Sequence, residues 1–421
     1  MPPSHGIGEN LVQFLHQLLQ VALVGLTLGM MRTVVPALSE TEFGVPRGSF
    51  MLLAAFVVAF GIVKAILNLL AGWLSEHIGR KPVLTLGWVV ALPIPFLIYF
   101  ARDWSWIVGA TLLLGVNQGL TWSMTQTSKL DLARPDQRGT SIGLNEFAGY
   151  FGVAAAGVAT AYLAAALGAR LALLAFGLTV VLLALLLTQL WVLETRPWAW
   201  AEASSGPRSS EASRPIPAFR SSLPTGPKVF ALVSWRDRRF LAITQAGLIE
   251  KFVDVIVWIF YPVFLVRAGA SLPDIGWIVA VYGLVWGSGQ ILTGRLSDRV
   301  GRLWPNVAGM WISGLAVAMT VWGDGTLWWS FSAAVAGLGM ALLYPNLSAT
   351  IADLAPPGWR GAAIGVYRFW RDLGYAIGSQ VLGLVAFLTG SMDAAFAVTG
   401  VLMALSGFAL LVLTTRARES P

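Results

Sequence analysis

Apolar residues recur along this chain in long, nearly unbroken runs, not in the alternation of a strand or the one-sided stripe of a surface helix. Twelve such runs stand at about 12–38, 50–74, 82–101, 105–128, 139–166, 170–193, 239–266, 273–296, 304–322, 326–352, 361–389 and 392–414. Each holds about 20 residues or more, enough at about 1.5 Å per residue to cross about 30 Å of hydrocarbon. The pattern predicts an all-α polytopic membrane protein with twelve transmembrane helices. Between the sixth and seventh runs it lapses into "ETRPWAWAEASSGPRSSEASRPIPAFRSSLPTGPKVFALVSWRDRR", rich in Ser, Pro, Ala and Arg. Residues 194–238 therefore read as a flexible cytoplasmic linker between an N-terminal six-helix bundle (1–193) and a C-terminal one (239–421). Within it, "KVFALVSW" is apolar enough for a short interfacial helix.

The two halves repeat each other. A shift of 222 residues aligns them without a gap from about Phe60 to Gly157. Gly61 then falls on Gly283, Gly72 on Gly294, Gly79-Arg80 on Gly301-Arg302, Asp131-Leu132-Ala133 on Asp353-Leu354-Ala355 and Arg138-Gly139 on Arg360-Gly361. Helix 1 matches helix 7 more loosely, through Gly25-Leu26 and Gly247-Leu248. Two six-helix units in parallel orientation predict two bundles with a central cavity between them.

Composition sharpens this picture. Charged residues make up 12% of the chain, half of what a soluble surface carries, and hydrophobic residues 56%. The net charge of +7 is explained by topology: with both termini in the cytoplasm of a cell-membrane protein, 19 of the 28 Lys and Arg residues fall in inner loops and tails and four in outer loops. A nucleic-acid partner is not expected. The absence of cysteine excludes disulfides and thiol chemistry, and the three histidines show no metal-ligand spacing. The first run lacks a basic n-region and a cleavage site, so it reads as the first spanning helix. No nucleotide-binding loop or nucleophile–base constellation appears, so neither a cofactor nor an enzyme activity is expected.

Two loops carry a motif. "GWLSEHIGRKPVL" (72–84) follows helix 2 and "GRLSDRVGRLW" (294–304) follows helix 8. Gly72 and Gly294 allow close helix approach, Gly79 and Gly301 permit tight turns, and Arg80 and Arg302 present guanidinium forks. Glu76 and Asp298 can accept from basic groups or helix N-termini. Both loops resemble the signature loop of the major facilitator superfamily, and the resemblance extends over essentially the whole chain. It implies twelve helices in two bundles, a monomer, and loops that lock the cytoplasmic side. A second matched pair, "KLDLARPDQRG" and "IADLAPPGWRG", places Asp131 and Asp353 at helix ends and Arg138 and Arg360 at the next helix starts, as latches or as simple helix-end solvation. Helix 5 ("GLNEFAGYFGVAAAG") lacks the Gly-Pro pair of the superfamily's drug–proton antiporters.

Charges also fall inside the runs, where they should face a cavity or a partner. Arg368 in helix 11 repeats Glu146 in helix 5, and Arg32 in helix 1 repeats Asp254 in helix 7. The candidates for substrate and cavity contact are Arg32, Asn117, Gln118, Trp122, Tyr344, Asn346, Arg368, Arg371 and Tyr375. Guanidinium forks suit anionic groups. Glu146, Glu250, Asp254 and Asp372 are the candidate proton carriers, since burial tunes a carboxyl group. The bland alternative is permanent structural pairing, or interhelical glue for Asn117 and Gln118. The expectation is a secondary transporter that moves a small polar or anionic solute by alternating access, coupled to protons, with export favoured. The alternatives are multidrug–proton antiport of lipophilic cations and a non-transporting receptor on the same fold.

Overall fold

The computed structural model describes residues 4–134, 137–205, 226–355 and 360–419. Among these residues the chain is helical, with no strand. Twelve rods follow the twelve apolar runs. They are α1 (Leu11–Arg32, continued by Val34–Ala37), α2 (Phe50–Ile78), α3 (Arg80–Ala91, then Pro93–Tyr99), α4 (Trp104–Leu132), α5 (Arg138–Leu167) and α6 (Ala169–Leu190). The second half gives α7 (Arg238–Val255, Ile256–Phe260, Tyr261–Arg267), α8 (Leu272–Val300), α9 (Leu303–Met319), α10 (Thr326–Leu354), α11 (Arg360–Thr389) and α12 (Asp393–Glu419). Among the described residues, eight helical stretches are long and apolar enough to cross a bilayer by length and composition. The other four rods are α4, α7 and α8, which carry polar residues in their middles, and the shorter α9.

Prolines account for the breaks. Pro93 and Pro95 interrupt α3, where the missing N–H removes a helical bond. Pro262 follows a π-helical turn, Ile256–Phe260, in α7. Pro345 leaves α10 continuous because the carbonyl it orphans is taken up elsewhere. Thr293 Oγ1 of α8 donates to Ala341 O at 2.6 Å, the oxygen that residue 345 would otherwise bond. Asn346 Nδ2 donates to Leu342 O at 2.6 Å. In an apolar medium such side chains replace the missing backbone donor.

The halves pack alike: α1 on α5 and α7 on α11, α2 on α4 and α8 on α10, α3 on α6 and α9 on α12. Across the midline α2 meets α11 and α5 meets α8. Glycine sets the closest crossing. A Cβ on Gly25 of α1 would lie 2.0 Å from Gly149 O of α5, so no side chain fits there.

The end of the molecule where α1 begins and where the chain turns after α2 and α8 is the basic end. There Gly79 turns with φ +103° into α3, and the Glu194 carboxylate accepts from the Arg80 and Lys81 amides, both at 3.0 Å. Arg80 Nε donates to Asp131 at 3.1 Å, and Thr195 Oγ1 donates to the same oxygen at 2.7 Å. The second half repeats one part of this: Gly301 turns with φ +83° and Arg302 Nε donates to Asp353 at 3.2 Å. The side chains of Gly72, Glu76, Arg138, Gly294, Asp298 and Arg360 lie outside the described residues.

Two expectations change. The linker is less irregular than expected where it is described, since Arg196–Ser205 is a helix; the short helix expected at "KVFALVSW" is present, as Gly226–Ala231 running into a π turn at Leu232–Arg236 that packs on α7 and α11. Its apolar residues bury against the bundle, with Val229 and Val233 essentially inaccessible. Lys129, one of the 19 cations counted to the inner loops and tails, is instead fully buried within α4, its Nζ donating to Gln17 O of α1 at 2.9 Å.

Candidate functional site

A narrow, nearly closed cavity of about 20 Å³ lies at the midline. Its lining comes from α2 (Lys64, Asn68), α4 (Trp122, Ser123, Gln126), α5 (Glu146, Tyr150), α10 (Tyr344) and α11 (Arg368, Arg371, Asp372, Tyr375), with Leu28 of α1. The periodicity explains these choices: Lys64 and Asn68, Glu146 and Tyr150, Arg368 and Asp372 are each one turn apart and share a face.

Three lining charges lack an opposite charge within 4 Å among the described residues. Lys64 Nζ sits over the rings of Phe60 (5.4 Å), Tyr375 (5.6 Å) and Trp122 (5.9 Å), a cation held by π faces. Arg368 Nη2 donates to Gln126 Oε1 at 2.7 Å, across the midline. Glu146 accepts through Oε1 from Trp122 Nε1 and Asn145 Nδ2, both at 3.0 Å, while Oε2 has no partner. Arg371 is paired, at 3.1 Å with Asp372 and 4.7 Å above the Tyr344 ring. Asn68 Nδ2 donates to Asp372 in a second bond across the midline.

Deeper, a closed charge cluster adjoins the cavity. Asp254 lies 3.1 Å from Arg32 Nη2 and 3.0 Å from Lys251 Nζ, and accepts from Tyr282 Oη at 3.0 Å and Tyr375 Oη at 2.7 Å. Lys251 Nζ is ringed by Trp286, Tyr344 and Tyr375 at 5.2–5.3 Å and stands 3.6 Å from Glu250. Neither oxygen of Glu250 accepts a hydrogen bond. Two cations and two carboxylates thus neutralise one another with no exposure above 2%. Tyr375 joins the cluster to the cavity, its hydroxyl on Asp254 and its ring under Lys64.

The end opposite the basic one is sealed. Trp258 packs edge-on against Phe56 and Phe60, with centroids at 5.7 and 4.7 Å, and donates to Met31 O at 3.1 Å. Arg267 pairs with Glu40 at 2.5 Å across the same end. Towards the basic end, the Arg368–Gln126 and Asn68–Asp372 bonds cross the cavity.

Of the residues singled out in the sequence, Trp122, Glu146, Tyr344, Arg368, Arg371, Asp372 and Tyr375 line this cavity. Arg32, Glu250 and Asp254 form the adjoining cluster. Asn117, Gln118 and Asn346 do not reach either. Asn117 donates to Gly87 O at 2.9 Å and Gln118 to Val24 O at 3.0 Å, tying α4 to α3 and α1, and Asn346 bonds back to Leu342 O of its own helix. Lys64, Asn68, Ser123, Gln126 and Tyr150 line the cavity as well and are not among those candidates. For Asn68 and Tyr150 the signal was present, one turn beyond Lys64 and Glu146.

A sequence profile described as Major Facilitator Superfamily matches residues 18–266 and 243–421. The chain belongs to the Major Facilitator Superfamily. Among curated relatives, an uncharacterized MFS-type transporter of Salmonella typhimurium is 24% identical over 304 residues, 72% of this chain and 68% of the relative. The Escherichia coli inner membrane metabolite transport protein YgcS is 29% identical over 76 residues, 18% of this chain and 17% of that one. In fold, the chain is similar to the E. coli xylose transporter XylE in a partially occluded inward-open conformation, with a TM-score of 0.70, 16% identity and coverage of 94% and 96%. It is also similar to the human organic anion transporter MFSD10, at a TM-score of 0.65, 18% identity and coverage of 95% and 99%. This superfamily member is accordingly a multi-pass membrane transporter.

Proposed function

We propose that this superfamily transporter moves a small polar or anionic solute across the cell membrane by alternating access, coupled to protons, with its basic end in the cytoplasm. The observation that carries the solute class is the pair Lys64 and Arg368: two cations lining the cavity with no carboxylate within 4 Å among the described residues. A solute carboxylate or phosphate supplies the acceptor that the guanidinium fork lacks. Glu146, with one oxygen unpartnered, is the group best placed to carry the coupled proton. The sealed far end and the two cross-midline bonds toward the basic end support an inward-facing, partly closed state. The Lys and Arg excess of the basic end supports its cytoplasmic placement.

The test is a thermal-shift screen of purified protein in detergent with panels of small anions and lipophilic cations, since a ligand of the folded state raises Tm with concentration. Stabilisation by anions that disappears in Arg368→Ala supports this reading. A second reading has its own observation, the lone Glu146 carboxylate set against Trp122 and Tyr150, which would suit a lipophilic cation. Stabilisation by cations, lost in Glu146→Gln, would replace the anion reading with multidrug antiport.

A further inference from the structure

On the far side of Glu146 from the solute cavity, the first half holds a second polar cluster. Gln17 of α1, Lys129 of α4, and Ser141 and Asn145 of α5 are all at most 1% exposed. Their hydrogen-bonding capacity is mostly unused: both side-chain atoms of Gln17, Ser141 Oγ, Asn145 Oδ1 and Glu146 Oε2 have no partner, and Lys129 Nζ makes one bond, to Gln17 O. The helix register brings them together. Gly25 abuts Gly149 and Gly29 abuts Val153, so, counting back by turns, Val21 lies level with Asn145 and Gln17 with Ser141.

Buried polar atoms left unpaired are costly, each losing its hydration without a replacement bond. Polar groups so placed normally share bound water. Nor does the fold demand polarity here. At the repeat-equivalent positions of the second half, Lys129 and Ser141 are replaced by Ile351 and Ala363, both buried.

The titratable groups around Glu146 are Lys129 on α4 and, lining the cavity with Glu146, Lys64 on α2, Tyr150 on its own helix, Tyr344 on α10 and Arg368, Arg371, Asp372 and Tyr375 on α11. At this level α1 contributes Gln17 and α6 and α8 contribute no titratable side chain among the described residues. Beyond the cluster, the segment before α1 lies across the basic end, with Gly6 N on Leu132 O (2.8 Å), Ile7 N on Gln137 Oε1 (2.9 Å) and Glu9 paired to Arg134 (2.9 Å).

We propose that Gln17, Lys129, Ser141 and Asn145 line a hydrated chamber through which Glu146 exchanges its proton with the basic-end side, Lys129 acting as the relay cation. It rests on the reading that Glu146 carries the coupled proton, and it gives that proton a route separate from the solute's. In the state open to the far side, a proton from that side forms the O–H bond at Glu146 Oε2. In the inward-facing state that bond breaks and the proton passes to chamber water and out at the basic end. Glu146 thus stands as the partition between two compartments, one for solute and one for protons.

The chain has no cysteine, so a single introduced thiol reports alone. Ser141→Cys is nearly isosteric, and Ala363→Cys is its repeat-equivalent control. With methyl methanethiosulfonate as the probe, we expect Ser141→Cys to react about tenfold faster than Ala363→Cys, because only a thiolate in contact with water reacts. Equal, slow rates would overturn the chamber. The relay is read separately by infrared titration of the protonated Glu146 carboxyl band, assigned by its loss in Glu146→Gln. Lys129→Gln, which keeps hydrogen bonding and removes charge, and Lys129→Ile, the residue of the second half, should move the titration by about one pH unit, a tenfold change in equilibrium. A Glu146 band that does not move in either variant would overturn the relay even if the thiol reacts. Both readouts need no solute, so failure of the anion panel leaves them standing, whereas a Glu146 that shows no titration at all sinks the proton reading and this route together.

Discussion

Arg32 and Asp254 occupy equivalent positions in the two halves of the chain, and their side chains stand 3.1 Å apart. A residue can touch its own repeat partner only where the axis relating the repeats passes between them. The axis of this transporter therefore runs through an ion pair, and the repeat has become asymmetric at the one place where identical charges would have met and repelled. The two members are not equal in their other contacts. Asp254 also holds Lys251, Tyr282 and Tyr375, whereas Arg32 has only Asp254 and the Trp258 face, 5.0 Å away.

That inequality sets the first prediction. Asp254→Asn leaves two buried cations facing each other and should cost about 3–5 kcal/mol of stability, as removal of one partner of a buried pair does. Arg32→Gln leaves Asp254 with Lys251 and should cost clearly less. Thermal unfolding of both variants in the same detergent compares them, and an equal loss would mean that Lys251 does not hold Asp254.

The proline in α10 gives the second. Thr293→Val removes the donor to Ala341 O while keeping the shape, so a buried carbonyl is left without a partner at a cost of about 1–3 kcal/mol. Thr293→Ser keeps the hydroxyl and should retain most of the stability. Differential scanning fluorimetry of the two variants measures the difference.

Glycine positions give a graded third. Gly25→Ala places its Cβ 2.0 Å from Gly149 O, so α1 and α5 must part and the protein should lose about 1–3 kcal/mol or more. Gly283→Ala meets nothing nearer than Ala154 Cβ at 3.6 Å and gains helix propensity, so its Tm should hold or rise slightly. Monodispersity in size-exclusion chromatography and Tm together read both.

A fourth concerns the basic end. Glu194→Gln weakens the cap on the first turn of α3, where the carboxylate accepts from two amides, and should cost about 0.5–2 kcal/mol. Amide hydrogen exchange should rise at Arg80 and Lys81.

Fold and site were legible to different depths. Hydropathy placed all twelve rods within a few residues, because run length against bilayer thickness is a one-dimensional quantity. The 222-residue repeat paired the halves before any contact was known, and the charges at Arg32, Glu146, Asp254 and Arg368 emerged from it. Depth along a helix was legible; direction around it was not. Asn117 and Gln118 sit at cavity depth yet turn to backbone carbonyls of neighbouring rods, and Asn346 turns back to a carbonyl of its own rod, choices made by packing. Lys129 misled for the same reason: its place near a helix end suggests a loop, while its side chain points inward to Gln17. Thr293 carried no signal, since its role depends on a proline on another helix.

The π turn at Ile256–Phe260 fits one residue more than the α turn it replaces. At 3.6 residues per turn, one residue is about 100° of rotation about the axis. Lys251 and Asp254, before the turn, point to the molecular centre. Beyond it, Tyr261 reaches Trp329 O on α10 at 2.7 Å and packs on Phe396 of α12. A uniform α-helix could not hold both orientations, so a single surplus residue sets the phase between them. Deleting one residue from this turn would bring the two segments back into step and swing one set of contacts away from its partners, leaving the rod intact and its two faces mismatched.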